Sequence, residues 1–377
     1  MHPASSRRAL LSSTAGLLLG SMLPTALAQG GTAATSGTSS TGGASGATAA
    51  GTATAAGAAS KKAPPWNGPK LKKLVLAGPY ALVSNPLIRI VDSGALNDVA
   101  EQVEFVSWRT PDQLRAMAIK GEVDFLAVPS NVAANLYNRG VKLRLMNIGV
   151  WGILWVLSRD GSRKTLADLK GEEIVMPFRG DMPDFIFRLV AKKQGIDVGR
   201  DMKLRYVASP LDAMQLLITR RADNALLAEP AISVGLRKTQ SFPISAIAPE
   251  LHRGVNLQAE WGKVFNTEPR IPQAGIIMLG QQLDNAALAT RFQQACIKAA
   301  DWCEKNPDEC GKAVAARVDA LTPEGVADAI RAEDSPMTTA ADAKDALKFF
   351  YEQLRAHQPG LIGGKLPPDD FYYSTAP

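Results

Sequence analysis

The sequence predicts an α/β protein built as a two-lobed clamshell, in which each lobe is a mostly parallel sheet flanked by helices. Short apolar runs alternate with amphipathic stretches from Leu71 onwards, and the alternation starts again near Glu173. Strands separated by helices form parallel sheets through right-handed crossovers. Two long apolar runs, residues 150–157 and 273–279, lie more than 100 residues apart. We interpret them as two crossing strands, since a chain that leaves one lobe and returns to it must cross twice.

The same periodicity locates the individual elements. It predicts strands at residues 73–77, 103–106, 123–128, 143–150, 173–177, 203–207 and 224–228. It predicts helices at residues 86–93, 111–120, 131–139, 183–194, 211–220, 231–237, 283–302, 308–318, 323–332 and 340–353. Residues 70–155 with 270–360 are predicted to form a discontinuous first lobe, completed by the C-terminal helices, residues 156–269 the second lobe, and residues 361–377 a C-terminal tail. Two independent consecutive domains are the alternative.

Residues 1–28 are predicted to be a signal peptide. Arg7 and Arg8 precede an uncharged apolar stretch, and Ala26-Leu27-Ala28 matches the small-x-small cleavage pattern. The stretch is short of the roughly 20 apolar residues that a membrane span needs, although an uncleaved anchor is the alternative. Residues 6–11 resemble a twin-arginine export signal, and an ordinary secretory signal stays equally open. No cysteine lies at the cleavage site, so we expect a periplasmic protein without a lipid anchor.

Residues 29–69 are predicted to be a flexible tether. From Gln29 to Ser60 the chain contains only Gly, Ala, Ser and Thr besides that one Gln. Such a composition has no apolar bulk to offset the entropy of ordering the chain. The folded part therefore begins near Lys70 and is about 300 residues long, enough for two lobes with cores of their own.

Charge and cysteine content exclude several classes of function. Without Arg7 and Arg8 the chain keeps 40 basic against 36 acidic residues, dispersed without a block of like charge, which argues against nucleic-acid binding. Cys303 and Cys310 flank a predicted helix–turn–helix corner and are candidates for a disulfide, with reduced cysteines as the alternative. Cys296 is expected to be a buried apolar residue. The three histidines, His2, His252 and His357, lie far from these cysteines, so no metal site is expected, and His252 is expected on a surface loop.

Candidate ligand-binding residues follow the predicted strands. In open parallel sheets, ligands bind beyond the carboxyl ends of the strands, where helix N-termini offer N–H groups and partial positive charge to anions. Small or polar caps and aromatic side chains cluster at these junctions. The predicted ligand-binding residues are Pro79, Tyr80, Trp108, Ser130, Asn131, Trp151, Arg179, Gly180, Asp181, Met182, Ser209, Glu229 and Gln273. For any one of them, an ordinary helix cap is the alternative.

Residues 178–182 are the strongest candidates in this set. Gly180 permits close approach of a ligand to the backbone, Arg179 can form a bidentate contact with a carboxylate or sulfonate, and the helix starting near Met182 supplies amides. A surface position for Arg179 and a simple N-cap role for Asp181 are the alternatives. Glu229 is interpreted as a group that orients its neighbours or as an acceptor for an amine on the ligand.

Four short motifs resemble type II periplasmic solute-binding proteins. Residues 165–174, Thr-Leu-Ala-Asp-Leu-Lys-Gly-Glu-Glu-Ile, resemble that family's transition into the second lobe. Residues 121–125, Gly-Glu-Val-Asp-Phe, and 221–225, Arg-Ala-Asp-Asn-Ala, are similar to its step from helix into strand. Residues 228–230, Ala-Glu-Pro, are similar to the Glu-Pro of its nitrate, taurine, alkanesulfonate and thiamine-precursor branch. The resemblance covers roughly residues 70–353.

This resemblance implies a clamshell fold, a ligand held between the lobes and an ABC-type importer as partner. The related thiamine-precursor synthases carry a Cys-rich motif and a reactive His that this sequence lacks, which argues against that enzymatic role. The long tether and the first loop, residues 78–81, depart from the family pattern.

We therefore predict an exported solute-binding protein, a monomer without cofactor or catalytic residues. It would capture a small anionic organic solute, such as a sulfonate or carboxylate, for an importer permease in the inner membrane. One alternative is an enzyme on the same clamshell that uses Asp181, Asp184 or Glu229 as a general base on a small carboxylate. Another is a receptor that presents the solute to a membrane kinase, because transport and sensing need the same binding chemistry.

Overall fold

The computed structural model describes residues 66–247, 250–333 and 336–374. The predicted signal peptide, and the predicted tether except its last four residues, lie outside the described residues.

The described residues form eleven strands and thirteen helices. The strands are β1 (Leu71–Gly78), β2 (Ala100–Ser107), β3 (Phe125–Pro129), β4 (Leu143–Val150), β5 (Leu154–Ser158), β6 (Glu173–Pro177), β7 (Lys203–Val207), β8 (Asn224–Ala228), β9 (His252–Asn256), β10 (Ala274–Leu279) and β11 (Thr338–Thr339). The helices are α1 (Asn85–Ser93), α2 (Pro111–Lys120), α3 (Ser130–Asn138), α4 (Met182–Lys193), α5 (Val198–Asp201), α6 (Pro210–Ile218), α7 (Ala231–Gln240), α8 (Ile244–Ile247), α9 (Leu257–Phe265), α10 (Ala286–Lys305), α11 (Pro307–Ala315), α12 (Pro323–Ala332) and α13 (Lys344–His357).

Two sheets with related strand orders confirm the predicted fold class. The first sheet has the order β11-β4-β10-β3-β1-β2, and the second has the order β7-β6-β8-β5-β9. In the first sheet β10 is antiparallel to both of its neighbours, β3 and β4. In the second sheet β5 is antiparallel to β8 and β9 in the same way. In each lobe the strand that comes directly after a crossing from the other lobe is thus reversed; the short β11 is also antiparallel to β4.

The two crossings lie side by side. The apolar run at 150–157, predicted as one strand, is broken after Val150, where β4 ends, and resumes at Leu154 in β5. Gly152 sits in the gap with φ +119, and a Cβ there would lie 2.1 Å from Cγ of Gln258. The returning chain binds to the outgoing one, because the Gln273 N–H donates to the Val150 carbonyl at 3.0 Å. The crossing segments therefore form a paired hinge.

Many helices begin where the sequence places a cap followed by proline. The Thr110 and Ser209 hydroxyls accept the N–H groups of Gln113 and Asp212, at the starts of α2 and α6. Proline is pre-set for the first turn and lacks the N–H that this turn leaves unpaired. Such starts place α2 and α6 directly after β2 and β7, at the carboxyl ends of the strands.

Two segments differ from the prediction, one in the second lobe and one at the C-terminus. Residues 252–265 form β9 and α9, so His252 begins a strand and is not on a loop. Residues 361–374, predicted as a C-terminal tail, pack against the first lobe, because Phe371 is fully buried and the Tyr373 N–H donates to the Leu145 carbonyl at 2.8 Å. This segment has no apolar periodicity because its regular structure is limited to short 3₁₀ turns, the last at Asp369–Phe371.

The helices α11 and α12 contact both lobes, not only the first lobe as predicted. The helix α12 packs closely on α7, since a Cβ at Gly325 would lie 2.5 Å from Cγ2 of Val234. An ion pair between Arg237 and Asp328 joins the same two helices. On the other side α11 packs against α1. These helices therefore close one side of the space between the lobes.

The structure joins Cys303 of α10 and Cys310 of α11 in a disulfide, with Cα atoms 5.3 Å apart. Cys296 is reduced and fully buried in α10, and burial raises the pKa of its thiol to about 12. None of the helices in the described ranges is both long and apolar enough to cross a bilayer.

Gly275 marks the closest approach between the strands of the first sheet. A Cβ at this position of β10 would lie 1.8 Å from the Asn147 carbonyl oxygen of β4. We predict that Gly275→Ala lowers the free energy of unfolding by about 3 kcal/mol, because backbone atoms must move to relieve the overlap. The measurement is urea unfolding followed by circular dichroism. Gly360→Ala is the control, since no atom lies within 4 Å of a Cβ there. Equal midpoints for the two variants would contradict the packing of β10 described here.

Candidate functional site

A cavity of about 520 Å³ lies between the two sheets. Residues that follow or end β1, β2 and β3 line it from the first lobe, and residues that follow or end β6, β7 and β8 line it from the second. Ile153 and Gln273 of the crossing segments also reach it. The cavity is therefore at the carboxyl ends of the strands of both lobes, where the sequence predicted a ligand.

Most of the described residues that line the cavity are apolar. Three aromatic side chains, Tyr80, Trp108 and Phe178, come from both lobes. The indole N–H of Trp108 donates to the Ala127 carbonyl at 3.1 Å, which fixes this ring in place. The prolines of the lining are Pro79, Pro129, Pro177, Pro183, Pro210 and Pro230. The cavity thus has rigid walls with few hydrogen-bond donors.

The structure brings about half of the predicted ligand-binding residues to this cavity. Those in its lining are Pro79, Tyr80, Trp108, Met182, Ser209, Glu229 and Gln273. The remaining six predicted positions are not in the lining, each for a physical reason.

Ser130 and Asn131 are used in the packing of the first lobe. The Ser130 hydroxyl donates to the Pro272 carbonyl at 2.5 Å, and the Tyr351 hydroxyl donates to the Ser130 carbonyl at 3.0 Å. The Asn131 amide donates to the Leu361 carbonyl at 3.4 Å. Both side chains therefore hold the start of α3 to the hinge and to the C-terminal segment.

Arg179 and Gly180 are exposed at the edge of the second lobe. The guanidinium of Arg179 lies over the Tyr206 ring, 5.1 Å from its centroid, and is not part of the cavity lining. The Gly180 N–H donates to the carboxylate of Asp184 at 2.8 Å, so this amide is already bonded within the chain. The surface alternative for Arg179 is the one that the structure favours.

Asp181 forms an ion pair between the lobes. Its carboxylate lies 2.6 Å from the guanidinium of Arg115, which belongs to α2 of the first lobe. Burial raises the pKa of Asp181 above the ordinary value, and the charge of Arg115 partly opposes this effect. Asp181 is the N-cap residue of α4, yet its side chain makes no capping bond. It links the lobes beside the cavity.

Trp151 lines a second, smaller cavity that borders the same hinge. This cavity of about 280 Å³ is also lined by Trp155, Arg253 and Glu333. The guanidinium of Arg270 lies over the Trp151 ring, 4.2 Å from its centroid. Burial, together with the nearby Glu229 carboxylate, raises the pKa of Glu333 to about 8.

Glu229 is a buried charged residue of the main cavity, and its carboxylate is hydrogen-bonded and ion-paired within the chain. It is 1% exposed and accepts hydrogen bonds from the Ser233 N–H and hydroxyl, both at 3.1 Å. It also forms an ion pair with Arg253, which reaches it from the side of the smaller cavity. The Glu229 carboxylate thus compensates the partial positive charge at the N-terminus of α7. This geometry favours the predicted orienting role over a free acceptor for an amine.

Three side chains in the lining, Tyr80, Arg109 and Gln273, retain donors without a partner in the described residues. Gln273 is 6% exposed and lines the cavity, its Oε1 accepts the Ile153 N–H at 3.1 Å, and its Nε2 donors have no hydrogen-bond partner in the described residues. Arg109 is exposed at the cavity edge, and no carboxylate in the described part of the chain pairs with it. Arg317, by contrast, is bonded to Asp92 through two nitrogens.

The sequence did not point to the wall formed by residues 317–321. This segment connects α11 to α12 and reaches the cavity only through the packing of these helices between the lobes. The sequence predicts its first two residues as the end of the helix at 308–318, whereas α11 ends at Ala315, and residues 319–321 have no motif or periodicity of their own. The described residues also contain no group of three or more His, Cys, Asp or Glu side chains placed to hold a metal ion.

Comparisons with solved structures agree with this arrangement. An ABC transporter protein of Parabacteroides distasonis superimposes with a TM-score of 0.64 and 22% identity, covering 81% of this chain and 100% of that one. The alkanesulfonate-binding protein of Xanthomonas axonopodis pv. citri, bound to MOPS, gives 0.57 and 16%, covering 81% and 98%. The chain has the periplasmic-binding-protein fold. The periplasmic nitrate-binding protein of Synechocystis PCC 6803 shares this fold, with a TM-score of 0.58 and 13% identity over 77% of this chain and 83% of that one.

No family profile matches the sequence, and no curated protein matches it. The periplasmic-binding-protein fold is therefore recognised through three-dimensional likeness at low identity. Within this fold, prolines and aromatic residues line the cavity between the lobes, together with Glu229, whose carboxylate is paired with Arg253.

We predict that Arg253→Met destabilises the protein by about 3 kcal/mol, because it leaves Glu229 buried without its cation. The double variant Glu229→Gln/Arg253→Met should recover most of this loss, since no charge is then stranded. Chemical unfolding of both single variants and the double variant gives the coupling free energy. Strictly additive effects would show that the pair contributes nothing specific.

Proposed function

We propose that the protein is an exported, periplasmic solute-binding protein of an ABC importer. It binds a small organic solute that carries a carboxylate or sulfonate group, and it delivers this solute to the permease in the inner membrane. The observation that carries the proposal is the cavity of about 520 Å³, which both lobes and both crossing segments line. Its size lies in the range of roughly 300–1,000 Å³ typical of pockets for small organic ligands.

The proposed mechanism is closure of the two lobes around the solute. A ligand that contacts both lobes favours the closed state by the difference between its affinities for the two states. The hinge is short because the crossing chains are bonded at Gln273 and Val150. The ion pair between Arg115 and Asp181 adds a contact that requires the lobes to be close together.

We assign no catalytic step to this site. The three carboxylates that the sequence offers as general bases are each engaged with a cation: Asp181 with Arg115, Asp184 with Arg188, and Glu229 with Arg253. A base held in this way is poorly placed to accept a proton from a ligand. The proposed protein acts as a monomer, without cofactor, metal or nucleic acid.

The test begins with protein purified from its natural compartment. Native mass spectrometry should detect a bound small molecule, and adding this compound to stripped protein at 100 times its Kd should raise Tm by about 5 °C. Trp108→Ala should weaken binding, because this ring lines the cavity. Trp302→Ala is the matched control, since that ring lies in α10 under Arg89 and is not in the lining.

Absence of any bound small molecule, together with no thermal shift over a broad solute panel, would overturn the proposed function. Affinity capture from membranes with the liganded protein separates the two possible partners. Recovery of an ABC permease supports transport, and recovery of a kinase instead would replace transport by sensing.

We predict that Arg115→Gln weakens solute binding by about two- to fivefold, as expected for a partly exposed ion pair. The closed state loses its contact with Asp181, whereas the cavity lining is unchanged. Isothermal titration calorimetry measures the effect. Asp112→Asn is the matched control, because it removes only the weaker pair that Arg115 makes within α2 at 3.5 Å. Equal affinities for the two variants would show that the pair between the lobes does not assist closure.

A further inference from the structure

Provided that the cavity holds the solute proposed above, its walls restrict the chemistry of that solute. The starts of three helices in the second lobe point towards the cavity, and such starts commonly bind anions through unpaired N–H groups. Here several of these N–H groups already donate hydrogen bonds to side chains of the protein itself. The Gly180 N–H donates to Asp184, the Asp212 N–H to the Ser209 hydroxyl, and the Ser233 N–H to Glu229.

Prolines remove further donors at the same three helix starts. Pro183, Pro210 and Pro230 lie at or beside the first residues of α4, α6 and α7, and all three line the cavity. Proline has no backbone N–H to offer to a ligand. These prolines and bonded amides leave a small inorganic oxyanion fewer donors than the starts of three helices usually offer.

Aromatic rings from opposite lobes face the cavity instead. Trp108 belongs to the first lobe and Phe178 to the second. Phe178 has φ +56, a left-handed conformation that is uncommon for a residue with a bulky side chain. Backbone conformations of this kind persist where the surrounding structure requires them and are frequent at binding sites. Phe178 therefore has a left-handed backbone in the cavity lining, at a position where glycine would fit more easily.

Besides Tyr80, Asp212 and Asp319, and the bonded Ser209, Glu229 and Arg317, the polar lining offers two side-chain donors, Gln273 and Arg109. Gln273, in the hinge, lines the cavity; its Oε1 accepts the Ile153 N–H, whereas its Nε2 donors have no partner in the described residues. Arg109 follows Trp108 and is exposed at the edge of the cavity, without an ion-pair partner in the described residues. Gln273 can donate to an acceptor on the body of a ligand, and Arg109 can bind an acidic group of the ligand.

We propose that the solute is an aromatic acid, an aryl carboxylate or aryl sulfonate. Its ring lies between Trp108 and Phe178, a polar ring substituent accepts a hydrogen bond from Gln273, and its acidic group lies at the cavity edge against Arg109. The acidic group is thus bound by an arginine side chain and not by the helix starts. This orientation keeps the charge near solvent and places the apolar ring against the proline walls, which lowers the desolvation cost of binding.

The experiment uses the exported protein stripped of bound molecules and measures Kd by titration calorimetry. The probes are 4-hydroxybenzoate and 4-hydroxybenzenesulfonate, their saturated analogue 4-hydroxycyclohexanecarboxylate, the aliphatic sulfonate taurine, and nitrate. We expect binding of at least one aryl acid, binding of the saturated analogue that is roughly tenfold weaker from the loss of ring contacts, and no binding of nitrate. The two aryl acids differ only in their acidic group and distinguish carboxylate from sulfonate.

Three variants test the named contacts. Arg109→Gln should weaken aryl acid binding about tenfold or more while leaving binding of the neutral analogue 4-hydroxybenzamide unchanged. Arg179→Gln is the matched control, because it removes an exposed arginine outside the lining. Phe178→Gly relieves the left-handed backbone and should therefore keep or raise Tm, yet weaken aryl acid binding about tenfold.

The outcomes separate this proposal from the proposed function. Binding of taurine or nitrate in preference to the aryl acids, or equal binding of the saturated analogue, overturns the aromatic assignment and leaves solute binding intact. If no probe binds, the co-purifying molecule decides: an aryl acid supports the proposal and any other compound overturns it. Absence of every bound molecule overturns the proposed function itself.

Discussion

The geometry of the cavity depends on how the two crossing segments are held together. Their backbones are bonded at two points, Ile271 to Trp151 at 2.9 Å and Gln273 to Val150 at 3.0 Å. The side chains of Gln258 and Gln273 accept the next two N–H groups of the outgoing chain, each at 3.1 Å. Only a few backbone dihedrals remain to change the angle between the lobes, and hinges of this kind move whole lobes as rigid bodies. The closure proposed above would therefore pivot at these bonded crossing segments, which line the cavity at Ile153 and Gln273.

Most of the fold could be predicted because its signals are local. The apolar periodicity predicts the alternation of strands and helices. The short motifs that resemble those of solute-binding proteins contain acidic residues that stabilise the transitions between these elements. Asp124 accepts the Val75 N–H at 2.8 Å, and Asp168 accepts the Thr165 N–H at 2.8 Å. Asp223 lies 3.7 Å from Arg159. Such acids stabilise the joins between helices and strands, so the motifs carry information about the fold and little about the ligand.

The site was predicted only in part because side-chain direction is not a local property. Phe178 and Arg179 are neighbours in the sequence, yet the left-handed backbone at Phe178 accompanies a ring in the cavity and a guanidinium outside it, over Tyr206. The Asp181 carboxylate is ion-paired with Arg115, a residue 66 positions away in the sequence. Strand ends and helix starts locate the cavity, whereas its actual lining depends on contacts between distant parts of the chain.

The wall contributed by residues 317–321 has a consequence for how binding specificity can change. This connection between α11 and α12 is neither a strand end nor a helix start of either lobe, and it lines the cavity without taking part in either sheet. Within this connection Val318 and Leu321 are buried, whereas Asp319 is exposed, and exposed positions of connections tolerate substitution better than the elements they join. A lineage could therefore exchange one solute for another by altering this connection alone, while the hinge and both sheets stay as they are.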